Sequence, residues 1–145
     1  MLPVLILNGA NLNMLGRREP EIYGTQTLAD IEALCVARAQ TYGLSIDFRQ
    51  TNHEGVLIDW LQEALDRVCG IIINAGAWTH TSVAIHDALK LHSVPVIEVH
   101  ISDPRKRESF RHESYITPVA VAVVAGEGIM GYARALEILS TRLLA

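Results

Sequence analysis

Five short runs of aliphatic residues punctuate the chain, at Pro3–Leu7, Leu44–Phe48, Gly70–Ile73, Val94–Val99 and Val119–Ala125. Most are apolar at consecutive positions, the pattern of a strand buried on both faces, whereas Leu44–Phe48 alternates with Ser45 and Asp47. Segments with helical periodicity separate them. The first follows Thr27, with Leu28, Ile31, Leu34 and Cys35, and its Thr-x-x-Asp start resembles a capping box. The second carries Val56, Leu57, Trp60, Leu61, Leu65 and Val68; two more run from about Thr81 to Leu91 and from about Gly128 to Leu144. Strands alternating with helices predict an α/β fold, with a five-stranded parallel sheet covered by helices on both faces. A chain of 145 residues, half of them hydrophobic and 19% charged, has the size and core of one domain, taken as residues 1–145.

Charge and cysteine usage narrow the function classes. Twelve Lys and Arg against 16 Asp and Glu leave a net charge of −4, which provides no general attraction for nucleic acid or an anionic membrane. No run approaches the ~18 apolar residues of a membrane span, and no export signal is evident, so a cytoplasmic location is expected. Cys35 and Cys69 are far apart in sequence and read as free thiols. Only two cations are lysines, Lys90 and Lys106, and the arginine preference suits bidentate carboxylate recognition.

The polar residues are not scattered. The first strand leads into Asn8 and Asn11, the second into Thr51-Asn52-His53, the third into Asn74-Ala75-Gly76, and the fourth into Glu98, His100 and Ser102. In an open parallel sheet the carboxyl edge is where ligands bind. Any single Asn there is more simply a turn residue, but four loops enriched together point to one crevice. Six histidines show no i, i+4 pair and no cysteine partners, so no metal site is expected. His86 and His92 read as helix residues, while His80 and His100, at strand ends, are better placed for chemistry. Gly126-Glu127-Gly128-Ile129-Met130-Gly131 matches the dinucleotide-binding pattern, yet no strand follows it and Glu127 would face a pyrophosphate; it reads as a turn at a helix entrance. The charge-dense stretch Asp103–Glu113 is by default solvated surface.

The segment from Gly16 to Gly24 carries Arg17, Arg18, Pro20 and Tyr23 without hydrophobic period, and reads as a mobile loop over the crevice. A tyrosine has an ordinary pKa near 10, so service as a base needs phenolate stabilisation of roughly 3–4 kcal/mol. A neighbouring guanidinium supplies it in principle. On this segment alone, a surface loop with a half-buried tyrosine is the simpler reading.

Taken together, Asn8-Gly9-Ala10-Asn11-Leu12-Asn13, Arg18-Glu19-Pro20 with Tyr23-Gly24, Gln50-Thr51-Asn52-His53-Glu54-Gly55, Asn74 through Ser82, Glu98-Val99-His100-Ile101-Ser102 and Arg107-Glu108-Ser109-Phe110-Arg111 resemble the type II 3-dehydroquinate dehydratases nearly end to end. The resemblance implies a flavodoxin-like three-layer fold and cofactor-free, metal-free conversion of 3-dehydroquinate to 3-dehydroshikimate. It implies Tyr23 as base, Arg18 as stabiliser of its phenolate, Asn11 at the enolate, and His100 as acid oriented by Glu98. Asn74, His80, the backbone of Ile101 and Ser102, and Arg111 would grip the substrate, while Asp87 would reach a neighbouring subunit's site in trimers stacked into a dodecamer. Ala10 and Ala75 stand where the family commonly has proline, and Asp103 where it has asparagine, a negative charge expected to weigh on substrate affinity. Two other classes stay open: a nucleotide- or flavin-binding module, testable by colour and nucleotide-induced stabilisation, and a silent oligomeric scaffold, which would be expected to have lost Tyr23, Arg18 or His100.

Overall fold

A computed structural model describes residues 1–17 and 19–144. Its sheet has five parallel strands, β1 (Val4–Asn8), β2 (Ile46–Gln50), β3 (Gly70–Asn74), β4 (Val96–His100) and β5 (Ala122–Ala125), in the order β2-β1-β3-β4-β5. The helices are α1 (Pro20–Tyr23), α2 (Leu28–Thr41), α3 (Glu54–Glu63), α4 (Val83–Lys90) and α5 (Met130–Leu144). Helices α2 and α5 pack together on one face of the sheet and α3 and α4 on the other, each pair enclosing its own apolar cluster. The expected parallel α/β sandwich is therefore present. The strand order changes direction between β1 and β3, whose ends Asn8 and Asn74 lie in register, and such a switch point opens a crevice at the carboxyl edge. Among the described residues no helix is long and apolar enough to cross a membrane.

The local signals act as their chemistry predicts. The Thr27 hydroxyl accepts from the Asp30 N–H at 3.3 Å and the Asp30 carboxylate from the Thr27 N–H at 2.9 Å, closing the capping box at the start of α2. Ser82 caps α4 by accepting from the Ile85 N–H at 2.9 Å. Cys35 is free and buried, its thiol pushed up to about 12 by burial and then by Glu32, and Cys69 is free as well.

Several boundaries differ from the expected ones. Leu44 lies in the turn that closes α2, not in a strand: Gly43 turns left-handed at φ 71° and the Leu44 N–H returns to the Ala39 carbonyl at 2.9 Å, so β2 begins at Ile46. Helix α3 stops at Glu63, short of Val68, and Asp66 follows at φ 62°. Thr117–Val119 forms a 3-10 turn around Pro118, which delays β5 to Ala122. That strand is an edge, and Val123 stays half exposed rather than buried. The Gly16–Gly24 segment contains the single helical turn α1, with Pro20 at its first position.

Gly9 is fixed by space. A Cβ there would meet the Ala75 carbonyl oxygen at 2.3 Å, because the Gly9 N–H already donates to the Asn74 carbonyl at 2.8 Å and draws the two strand ends together. Gly9→Ala is expected to destabilise the fold by about 1–3 kcal/mol, read as a lower denaturation midpoint; an unchanged midpoint would contradict the close approach.

Candidate active site

The loops beyond β1, β3 and β4 meet α1 around one cavity, lined by Asn11, Tyr23, Asn74, His80, His100, Ile101, Ser102, Arg107 and Arg111, with Ala10, Leu12, Gly76, Ala77 and Pro104 completing the wall. Three of the four expected loops contribute directly. The loop after β2 serves as a support: Asn52 Oδ1 accepts from the Asn11 N–H at 2.9 Å and from Gln50 Nε2 at 3.1 Å, and Gln50 Nε2 also donates to the Gly9 carbonyl at 3.2 Å. These bonds hold Asn11 at φ 71°, a left-handed backbone that asparagine adopts more readily than most residues.

Beneath the cavity lies a buried polar chain. Tyr132 of α5 donates its hydroxyl to Asn8 Oδ1 at 2.7 Å and accepts from Asn74 Nδ2 at 3.0 Å, while Asn74 Oδ1 takes the Gly76 N–H at 3.2 Å. Burial pushes the Tyr132 phenol up, against the Asn74 hydrogen bond, so it remains a neutral donor. The Asn74 carboxamide therefore has a fixed orientation at the end of β3.

His80 sits on the 3-10 turn Gly76–His80, its Nδ1 2.7 Å from the Glu113 carbonyl oxygen. A carbonyl only accepts, so Nδ1 carries the proton. Burial lowers the pKa of this imidazole against the carbonyl's pull, and His100 and Arg111 lower it further. Neutral His80 thus keeps Nε2 as a bare acceptor suited to a hydroxyl.

At the end of β4, His100 Nε2 bonds to Glu98 Oε2. Glu98 is only 2% exposed, yet Thr117 Oγ1 donates to its Oε1 at 2.5 Å and Ser114 Oγ to its Oε2 at 2.9 Å. Burial raises its pKa, but the bonds from His100, Thr117 and Ser114 and the charge of the imidazole overcome that and hold the carboxyl below its ordinary range. An ionised carboxylate only accepts, so His100 presents Nε2–H to it and leaves Nδ1 for a ligand.

Tyr23 is met by a guanidinium. Arg107 Nη1 donates to the Tyr23 hydroxyl oxygen at 2.6 Å, and the guanidinium carbon lies 5.2 Å from the ring centroid. Glu19 at 3.6 Å and Glu108 at 3.7 Å flank Arg107, whose side chain is largely buried. Arg18, the guanidinium expected there, lies outside the described residues. In sequence Arg107 belongs to a charge cluster and to one of the motifs of the family resemblance, but nothing there links it to a phenol 84 positions away. Its stretch is not one helix but two 3-10 turns, Pro104–Lys106 and Ser109–Arg111, so Arg107 reaches the cavity from the extended residue after the first turn and Arg111 from the second, not along a shared helix face. Arg111 is held by both Glu108 carboxylate oxygens at 3.3 Å.

A model of the family described as dehydroquinase class II matches residues 2–140. The chain belongs to this family. It is 57% identical to 3-dehydroquinate dehydratase 2 of Pseudomonas aeruginosa over 92% of this chain and 90% of that one. It is also 57% identical to the 3-dehydroquinate dehydratase of Streptomyces coelicolor, over 93% and 87%. The crystal structure of the type II dehydroquinase from Propionibacterium acnes superposes with a TM-score of 0.93 at 43% identity, covering 97% of each chain.

The stretch matched to class II dehydroquinases spans every cavity residue, from Ala10 to Arg111. Two neighbouring features of the sequence take a definite form in the structure. Asp103 is engaged as a cap, its Oδ1 accepting from the Arg105 N–H at 3.0 Å, and it is not among the cavity residues. The glycine motif is a turn that braces the Ile101–Ser102 backbone: Gly126 N–H donates to the Ser102 carbonyl and Gly128 N–H to the Ile101 carbonyl, both at 3.1 Å, with both glycines at positive φ. The peptide N–H groups of Ile101 and Ser102 have no backbone acceptor among the described residues. Asp87 lies exposed on α4, outside this chain's own cavity. His86 Nδ1 donates to the Tyr115 carbonyl at 2.6 Å and His92 Nε2 to the Leu61 carbonyl at 2.7 Å, since a carbonyl again requires the ring N–H, so both have structural partners.

Proposed function

We propose that this cavity dehydrates 3-dehydroquinate to 3-dehydroshikimate through an enolate, with Tyr23 as base and His100 as acid. The observation that carries the reading is a phenol bonded to Arg107 and an imidazole bonded to a buried carboxylate opening into the same cavity. Loss of water from a β-hydroxy ketone needs a base for the C–H beside the ketone, donors where enolate charge develops, and an acid, because hydroxide is a poor leaving group.

The Tyr23 phenolate, stabilised by Arg107 and, as the family resemblance implies, by Arg18, takes the proton from the carbon beside the ketone. The C–H electrons move into the carbonyl to give the enolate, whose oxygen is held with the help of Asn11. The enolate then collapses to the conjugated enone, the β C–O bond breaks, and His100 protonates the departing hydroxide to water. Exchange with solvent takes the proton off Tyr23 and restores one to His100, which closes the cycle. Asn74, His80, the Ile101 and Ser102 N–H groups and Arg111 bind the substrate's hydroxyls and carboxylate, for which free backbone N–H groups and a guanidinium are suitable donors. Asp87 acts in a neighbouring subunit's site, within trimers assembled into a dodecamer, in the cytoplasm.

The route uses no cofactor or metal and no Schiff base. Lys90 and Lys106 are both exposed and neither lines the cavity. Purified protein given 3-dehydroquinate is expected to produce the ultraviolet absorbance of the enone, undiminished by a chelator and without covalent trapping by borohydride. Absence of the enone overturns the reaction, and trapping overturns the route.

A further inference from the structure

We infer that Thr117, assisted by Ser114, is a positioning residue for proton delivery by His100, acting through Glu98. The inference deepens the dehydratase reading and rests on His100 being its acid. The Glu98 carboxylate has three donors: His100 Nε2–H and the Ser114 hydroxyl at Oε2, and the Thr117 hydroxyl at Oε1. The direction of the Ser114 bond is forced. Its oxygen already accepts from the peptide N–H groups of Ile116 and Thr117, each at 3.1 Å, so its single proton goes to Glu98.

The strap that carries both hydroxyls is fastened on each side. The Tyr115 N–H donates to the Thr79 carbonyl at 2.9 Å, and the Glu113 and Tyr115 carbonyls accept from His80 and His86. Two fixed hydroxyl donors favour the ionised carboxylate against its burial and pin its plane. A pinned, acceptor-only Glu98 admits only the Nε2–H form of His100, so the proton to be delivered rides on Nδ1. Thr117 never needs to touch the substrate for this.

Other charges face the pair and are left in place by the test. His80, Arg111 and His112 approach from the turns, and Asp103, Arg105, Glu127 and Arg134 line the outer groove that Thr117 shares with Glu98 and His100. The discriminating variants are Thr117→Val, which keeps shape and removes the hydroxyl, and Thr117→Ser, which restores it. In Thr117→Val the dehydration kcat is expected to fall about 10-fold with KM nearly unchanged. The acid limb of its kcat–pH profile moves to higher pH, because Glu98 loses a donor to its charged form. Exchange of the α-proton with deuterated solvent continues, and Thr117→Ser recovers most of the loss.

Wild-type kcat and pH profile in Thr117→Val overturn the inference. So does a parallel loss of exchange and dehydration with raised KM, the pattern of a merely structural role. If the valine protein does not fold, Thr117→Ala is read by the same measurements against the same outcomes. A wild-type chain that forms no enone overturns the dehydratase reading first and this inference with it, whereas enone formation with an inert Thr117 overturns this inference alone.

Discussion

Tyr23→Phe is expected to lower kcat by about 10²- to 10⁴-fold, the usual range for removing a positioned general base, while a product-like carboxylate binds nearly as before. The phenyl ring keeps its place beside Arg107, 5.2 Å from the guanidinium in the parent chain, so shape and cation contact survive and only the ionisable oxygen is lost. Binding survives because the groups proposed to grip the carboxylate and hydroxyls, Arg111, His80 and the Ile101–Ser102 backbone, belong to other loops. Steady-state kinetics and titration calorimetry with the product analogue separate the two effects. Equal losses in kcat and affinity would instead make Tyr23 a binding residue. Arg107→Met extends the argument: with the 2.6 Å donor gone from the phenol oxygen, kcat is expected to fall while the product-like carboxylate still binds. An Arg107 variant that keeps the parent kcat would contradict that role.

Arg107 also marks where sequence stops being readable. Strand runs, the Thr27 capping box and the asparagines at strand ends are short-range signals, and each appears in the structure close to its expected place. Registering Asn8 against Asn74 follows from the parallel order, so the crevice is legible from loop composition once the sheet is. A guanidinium that meets a phenol 84 residues away has no periodicity to betray it, and in a charge-dense stretch its neighbours Glu108 and Arg111 hide it. Thr117 and Ser114 are hidden for a similar reason. They lie just before the expected start of an apolar strand, and it is the bend there, with the Ile116 and Thr117 N–H groups on Ser114 Oγ and the 3-10 turn at Thr117–Val119, that puts both hydroxyls on Glu98.

The differences at element boundaries have one physical source. Leu44 and Val119 are aliphatic and so extend a strand-like run in sequence, but Gly43 turns left-handed before one and Pro118 lacks the N–H that a ladder requires before the other. Hydrophobicity reports burial, and Leu44 is buried; it does not report which hydrogen-bonding pattern achieves it. The single turn of α1 leaves no sequence signature because four residues are too few for a period, and Pro20 at its first position is as compatible with a loop.

His100→Ala is expected to lower the rate of water loss by about 10²- to 10⁴-fold while exchange of the substrate's α-proton with deuterated solvent persists. Tyr23 stands on α1 and takes its donor from Arg107, and the support of Asn11 comes from Asn52 and Gln50, so forming the enolate does not depend on the imidazole at the end of β4. In the proposed route departure of hydroxide does, because Glu98 holds Nε2 and Nδ1 is the nitrogen left to deliver the proton. With delivery blocked, an enolate returns to ketone by taking a proton back from Tyr23, and Tyr23 has exchanged with solvent in the interval. NMR of the recovered 3-dehydroquinate is then expected to show deuterium at one of the two diastereotopic positions, since a single base addresses a single face. A concerted elimination predicts the reverse, because neither bond breaks without the other. A variant that binds substrate, incorporates no deuterium and regains turnover with added imidazole would therefore keep His100 as the acid and remove the enolate from the pathway.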